Sequence, residues 1–138
     1  MSSCTPDHGM TAERFRDYID AFNRDDHAAY GDFYQDDVVL VIAGKTELRG
    51  REKIFAFYKT VKAQTRRTIQ VNKVVVTAER IAAELQSEFL ALEDVPDFSA
   101  GPLKKGGRIF INTIVLYELR DGKFSRIRSA ELRKIARP

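Results

Sequence analysis

Residues 108–133 read RIFINTIVLYELRDGKFSRIRSAELR: an apolar run rich in β-branched and aromatic side chains, an Asp121-Gly122 pair, and an alternating segment from Lys123. Asp-Gly between two strand-like runs is the strongest short-range hairpin signal, because a tight primed turn needs positive φ at both central residues. The stretch therefore predicts a long antiparallel hairpin. Alternation puts Ile109, Ile111, Thr113, Val115, Tyr117 and Leu119 on one face of its first strand, and Phe110, Asn112, Ile114, Leu116 and Glu118 on the other. Both faces are largely apolar, so the strand belongs in mid-sheet and both sides need cover: helices on one, a second subunit or loops on the other.

A chain of 138 residues is the length of one domain with one core, and 43% hydrophobic with 31% charged residues is ordinary globular composition. The opening MSSCTPDHGM has neither a charged n-region nor an apolar h-region, and no apolar run is long enough to span a bilayer. A soluble, cytoplasmic protein without a membrane partner is expected. The one cysteine, Cys4, rules out an intrachain disulfide and leaves no Cys-based metal site. The net charge of +3 gathers toward the C-terminus, but glutamates interrupt that cluster and no aromatic residues interleave it. A nucleic-acid partner is therefore disfavoured against a solvated basic face.

Working outward from the hairpin, residues 1–9 read as a disordered N-terminal tail and residues 10–138 as a single domain. Thr11 is a good N-cap, and Phe15, Tyr18, Ile19 and Phe22 follow at helical spacing, which predicts a helix over residues 11–24. Asp25 and Asp26 end it and cap a second helix over residues 27–34, with Ala29, Tyr30, Phe33 and Tyr34 turned to a core; His27, on its first turn, reads as a surface residue. A short buried strand follows over residues 38–43 and a brief extended segment over 46–49. A third helix over residues 51–64 carries Ile54, Phe55, Phe57, Tyr58 and Val61 on one face. The period then changes to two, giving strands over residues 68–77 and 81–93. Residues 94–107, with two prolines and three glycines, form the only long loop, which reads as a lid or a mobile segment. Helices first and strands later define an α+β fold, with helices on one face of a mostly antiparallel sheet.

Four stretches in this order resemble the nuclear transport factor 2-like (NTF2-like) superfamily, in its SnoaL-like and ketosteroid-isomerase-like branch. They are Tyr18-Ile19-Asp20-Ala21-Phe22-Asn23 followed by Asp26, Phe33-Tyr34-Gln35-Asp36-Asp37-Val38, the run Leu48-Arg49-Gly50-Arg51-Glu52-Lys53-Ile54-Phe55-Ala56-Phe57-Tyr58, and the hairpin turn Asp121-Gly122-Lys123-Phe124. The resemblance implies a cone of three helices closing a strongly curved sheet around an apolar pocket, usually as a homodimer packed through the sheet's outer face. It does not fix a function, since such folds host isomerases, cyclases, dehydratases, epoxide hydrolases and binding modules.

Ketosteroid isomerase chemistry uses an aspartate base with a tyrosine and a protonated aspartate as oxyanion hole. On the resemblance Tyr18 matches the tyrosine, but the base position falls at about Ile42 and the second acid at about Val115, neither of which moves a proton. The limonene-epoxide-hydrolase-like branch carries an Arg and an Asp two apart on the strand over residues 81–93, and Gln86 and Glu88 fall there. Glu88 is then the candidate general base, a carboxylate that an apolar cavity would push up. The last-strand aspartate of hydrolase and cyclase members falls near Ser129, with Glu131 the nearby substitute acid. Periodicity alone gives the opposite register: Ile81, Ala83, Leu85, Phe89 and Ala91 are the apolar set, which would leave Glu84, Gln86 and Glu88 in water.

Two readings of function follow. In the first, the protein is a cofactor-independent acid/base enzyme acting on a hydrophobic small molecule, with Glu88 as base, Tyr18 or Tyr58 as donor and Glu131 as second acid. Phe22, Tyr30, Tyr34, Phe55, Tyr58, Gln86, Val115, Tyr117 and Ser129 would line its pocket. In the second, the same fold is a non-catalytic binding or dimerisation module. No metal site is expected, because His8 and His27 have no His or Cys partners at ligand spacing, and no glycine-rich phosphate loop precedes a helix.

Overall fold

The computed structural model describes residues 9–98 and 100–137, so the tail expected over residues 1–9, with Cys4 and His8, lies outside the described residues except for Gly9. In chain order the elements are α1 (Ala12–Asn23), α2 (His27–Gly31), β1 (Tyr34–Ile42), β2 (Thr46–Arg49), α3 (Arg51–Gln64), β3 (Thr65–Val76), β4 (Arg80–Ala91), β5 (Arg108–Arg120) and β6 (Lys123–Arg137). The six strands form one sheet in the order β2-β1-β6-β5-β4-β3, antiparallel throughout except where β1 runs parallel to β6. The helices pack on the concave side of this curved sheet, which is the NTF2-like α+β cone.

The hairpin forms as its sequence predicts. β5 and β6 pair from Arg120↔Lys123, and Asp121 and Gly122 hold φ of 55° and 76° in the primed turn between them. Thr11 caps α1 by accepting from the Arg14 amide at 3.0 Å. At its other end Asp25 takes a positive φ, the Asp26 amide donates to the Ala21 carbonyl, and the Asp26 carboxylate accepts from Ala29 to start α2. Asn23 then ties α1 to β3: its amide donates to the Ile69 carbonyl and its oxygen accepts from the Ile69 amide, both at 2.8 Å.

Two expectations shift. The second helix stops at Gly31 rather than reaching residue 34, and Tyr34 opens β1 instead, paired with Phe124. The Phe124 amide donates to the Phe33 carbonyl at 2.7 Å, so pairing with the hairpin takes the backbone that a longer helix would have used. Gly31 also lies under Phe55, leaving no room for a Cβ: one built there would sit 2.4 Å from the ring. The long loop, expected as a lid or a mobile segment, is tied down. Val95 and Leu103 form an antiparallel bridge, and Val95, Phe98 and Leu103 pack with Phe89 and Ile109 in a core cluster of their own.

Candidate functional site

The concave side of the sheet divides into two regions. At one end the aromatic side chains of the helices and of the β5–β6 hairpin pack solidly: Tyr18 meets Phe124 at 4.9 Å between ring centroids, Phe22 meets Tyr58 at 4.9 Å, and Tyr117 meets Phe124 at 4.8 Å. Inside this cluster the hydroxyls of Tyr18 and Tyr34 share a hydrogen bond of 2.8 Å. At the other end, toward the loop, the helices leave a cavity of about 490 Å³. Leu85, Phe89, Phe98, Ile111, Val115 and Ile127 give it apolar walls, and the exposed Lys45, Thr46, Glu131 and Lys134 mark its open rim.

Of the residues singled out from sequence, the cavity brings together Tyr58, Val115, Ser129 and Glu131. Tyr18, Phe22, Tyr30, Tyr34, Phe55 and Tyr117 are not in its lining; they belong to the aromatic core, where Tyr18 already bonds Tyr34. His27 is exposed, its ring 5.6 Å from that of Phe55.

Glu88 and Gln86 are a correction. β4 buries Ile81, Ala83, Leu85, Ser87, Phe89 and Ala91 toward the helices, and period two turns Glu84, Gln86 and Glu88 to the convex face. There Glu88 meets Arg108, Oε2 to Nε 2.7 Å. Burying the apolar set against the helices decides the register, so the carboxylate in line with the hydrolase-like pattern has its back to the cavity.

Glu131 faces the cavity by plain alternation with Ile127 and Ser129, and a local irregularity just beyond it in β6 brings Lys134 to the same side. Glu131 pairs with Thr113 and Arg133 with Asn112, so Leu132 is an extra residue, 58% exposed. The bulge breaks the alternation, and Glu131 and Lys134 both come to the cavity side although they are three residues apart. Lys134 donates from Nζ to the Ala100 carbonyl at 3.0 Å, joining β6 to the loop.

The residue that sequence reasoning missed is Arg67. Alternation along β3 places Thr65, Arg67, Ile69 and Val71 on the concave side, where Thr65 and Ile69 are buried and Arg67 lines the cavity. Its guanidinium lies over the rings of Phe22, Tyr58 and Phe89, at 5.2, 5.9 and 4.9 Å. Nη2 donates to the Ser87 hydroxyl at 3.2 Å. The signal was present in the sequence: a lone cation at period two with apolar neighbours.

Burial raises the phenol pKa of all five tyrosines, Tyr18, Tyr30, Tyr34, Tyr58 and Tyr117. At Tyr58 and Tyr117 the nearby Arg67 charge pulls the other way without cancelling the effect of burial. Near neutral pH Tyr58 is therefore a hydrogen-bond donor at the cavity wall, not a base.

A second hollow, about 670 Å³, lies on the convex face, lined in part by Val41, Ile114, Leu116, Arg128 and Ala130, and meets the first at a shared edge of Lys45, Ser129 and Glu131. It is an open depression in an apolar face, and Leu116 within it is 43% exposed.

Residues 15–127 match the SnoaL-like domain family, and the chain belongs to that family. No curated protein matches the chain. Among solved structures it is similar to a putative polyketide cyclase from Pseudomonas putida KT2440, with 23% identity, TM-score 0.71, and coverage of 88% of this chain and 91% of that one. A second similar structure is an LEH-like epoxide hydrolase of M. tuberculosis, with 12% identity, TM-score 0.68, and coverage of 86% and 79%. A third is a computationally designed 17-OHP binder, with 18% identity, TM-score 0.70, and coverage of 88% and 94%. At these identities the likeness is one of fold.

Proposed function

We propose that the protein takes a hydrophobic small molecule into the cavity behind Phe89 and Phe98 and acts on it by cofactor-independent acid/base chemistry, as an isomerase, cyclase, dehydratase or hydrolase. The observation that carries this reading is a cavity of about 490 Å³ with apolar walls and one lining carboxylate, Glu131. Glu131 would take a proton from the ligand at the rim. Tyr58, held protonated by burial, would donate to the oxygen on which charge develops. The cyclase and hydrolase among the similar structures support this class of chemistry.

The test is a turnover screen of hydrophobic carbonyl compounds, epoxides and polycyclic substrates with the wild type, followed by Glu131→Gln on whatever is turned over. A positioned base contributes roughly 10²- to 10⁴-fold, so kcat should fall by at least about 100-fold while the ligand still binds. Unchanged kcat in Glu131→Gln would remove Glu131 from the mechanism.

The placement of Glu88 favours a second reading, a non-catalytic binding module. With Glu88 on the far side of the sheet and Tyr18 bonded to Tyr34, the cavity keeps one exposed carboxylate, and a similar fold serves as a designed binder. Saturable binding with no turnover across the screen, unaffected by Glu131→Gln, would select it. In either reading we propose a homodimer through the convex face, where Val41, Ile114 and Leu116 form an apolar surface.

A further inference from the structure

Arg67 is half-buried at the cavity wall and has no counter-charge among the described residues. Arg51, Arg108 and Arg120 each meet a carboxylate, of Asp36, Glu88 and Asp37. Among the described residues no ion pair includes Arg67. Its Nε is sealed from solvent and has no hydrogen-bond partner, and the neutral Ser87 hydroxyl is what Nη2 meets. Aromatic faces on three sides offset part of the desolvation. A guanidinium partly withdrawn from water gains from a counter-charge, and here the structure offers it none.

The cavity's other charges point the same way. Its lining carries Lys45, Arg67 and Lys134 against Glu131, three cations to one carboxylate, a surplus of two positive charges. Ser87, 3% exposed, and Arg67 both line the cavity, so an anion that enters meets a hydroxyl and a guanidinium side by side. Phe57, Phe89 and Phe98 lie where the rest of such a molecule would rest.

We propose that Arg67 and Ser87 form an anion-recognition subsite and that the ligand is an organic monocarboxylate: a flat or aliphatic apolar body in the cavity, with its carboxylate on Arg67. The inference rests on the cavity being the ligand site and adds the chemical class of what fills it. Arg67 sets specificity here, since a neutral molecule of the same shape leaves the guanidinium without a counter-charge.

Calorimetric titration at neutral pH with two probes of one shape, 2-naphthoate and neutral 2-naphthamide, tests it. The wild type should bind the carboxylate at least about tenfold more tightly than the amide, the low end of what a charge-assisted hydrogen bond supplies. Arg67→Gln should abolish that preference while changing amide affinity less than about threefold, and Arg67→Lys should keep part of it. Equal wild-type affinities for the two probes overturn the subsite but leave the cavity as a ligand site. A preference retained in Arg67→Gln also overturns it. If neither probe binds the wild type, the cavity reading falls and the subsite falls with it. The wild-type comparison decides even if a variant does not fold.

Discussion

Glu88 reaches Arg108 across the outer face of the sheet, Oε2 to Nε 2.7 Å, and so the strand's best-placed carboxylate belongs to the surface and not to the cavity. Both side chains are partly solvated, at 36% and 47% exposure, and pairs of this kind contribute about 0–1 kcal/mol. Glu88→Gln is therefore expected to lower stability by less than about 1 kcal/mol and to leave cavity-ligand affinity unchanged. Chemical denaturation and a parallel ligand titration check both. A large loss of ligand affinity would return Glu88 to the site.

The tyrosines predict an alkaline limit. Burial raises all five phenol pKa values in the folded state, while the unfolded chain ionises near 10. Above that pH the unfolded state binds fewer protons than the folded one, so stability falls as pH rises; below it the contribution is fully present. Absorbance at 295 nm should show no tyrosinate while circular dichroism reports a folded protein, then a rise together with unfolding. Gradual ionisation centred near 10 in the folded protein would contradict the closed aromatic core.

At Gly31 the prediction is steric. A Cβ there meets the far end of the half-buried Phe55 ring at 2.4 Å, so Gly31→Ala must shift that ring. Overpacking of this kind costs about 1–3 kcal/mol. Thermal melts should show the loss, and Phe55→Leu in the same chain should recover part of it. No loss in Gly31→Ala alone would mean that α2 and α3 are less closely packed.

The convex face predicts assembly. Leu116, 43% exposed, lines the convex depression with Ile114 and Val41. Light scattering behind size exclusion should give a dimer for the wild type and a monomer for Leu116→Arg, with circular dichroism unchanged. A wild-type monomer at tens of micromolar would remove this interface.

Much of the fold was legible because its signals are local. Asp121-Gly122 set the hairpin, Thr11 and Asp25-Asp26 set the helix ends, and the spacing of Phe15, Tyr18, Ile19 and Phe22 set the buried face of α1. What was not legible depends on pairing. Tyr34 has the pattern of a helix residue and becomes a strand because β6 offers Phe124 beside it. Lys134 enters the cavity because Leu132 bulges, and no property of Leu132 itself announces a bulge. For Glu88 the family pattern and plain alternation disagreed, and alternation prevailed because the apolar set on β4 had helices to pack against. Arg67 was legible by the same rule, as a cation among apolar neighbours of period two.

The measurement that tests the central claim most directly is amide chemical-shift mapping of the labelled protein titrated with 2-naphthamide, a neutral probe of the cavity itself. Saturable shifts should centre on Leu85, Phe89, Phe98, Ile111 and Thr113, with Gln86 and Glu88 moving only as their neighbours do. Shifts centred on Ile114 and Leu116 of the convex face, or no saturable shifts, would contradict the assignment of this cavity as the ligand site.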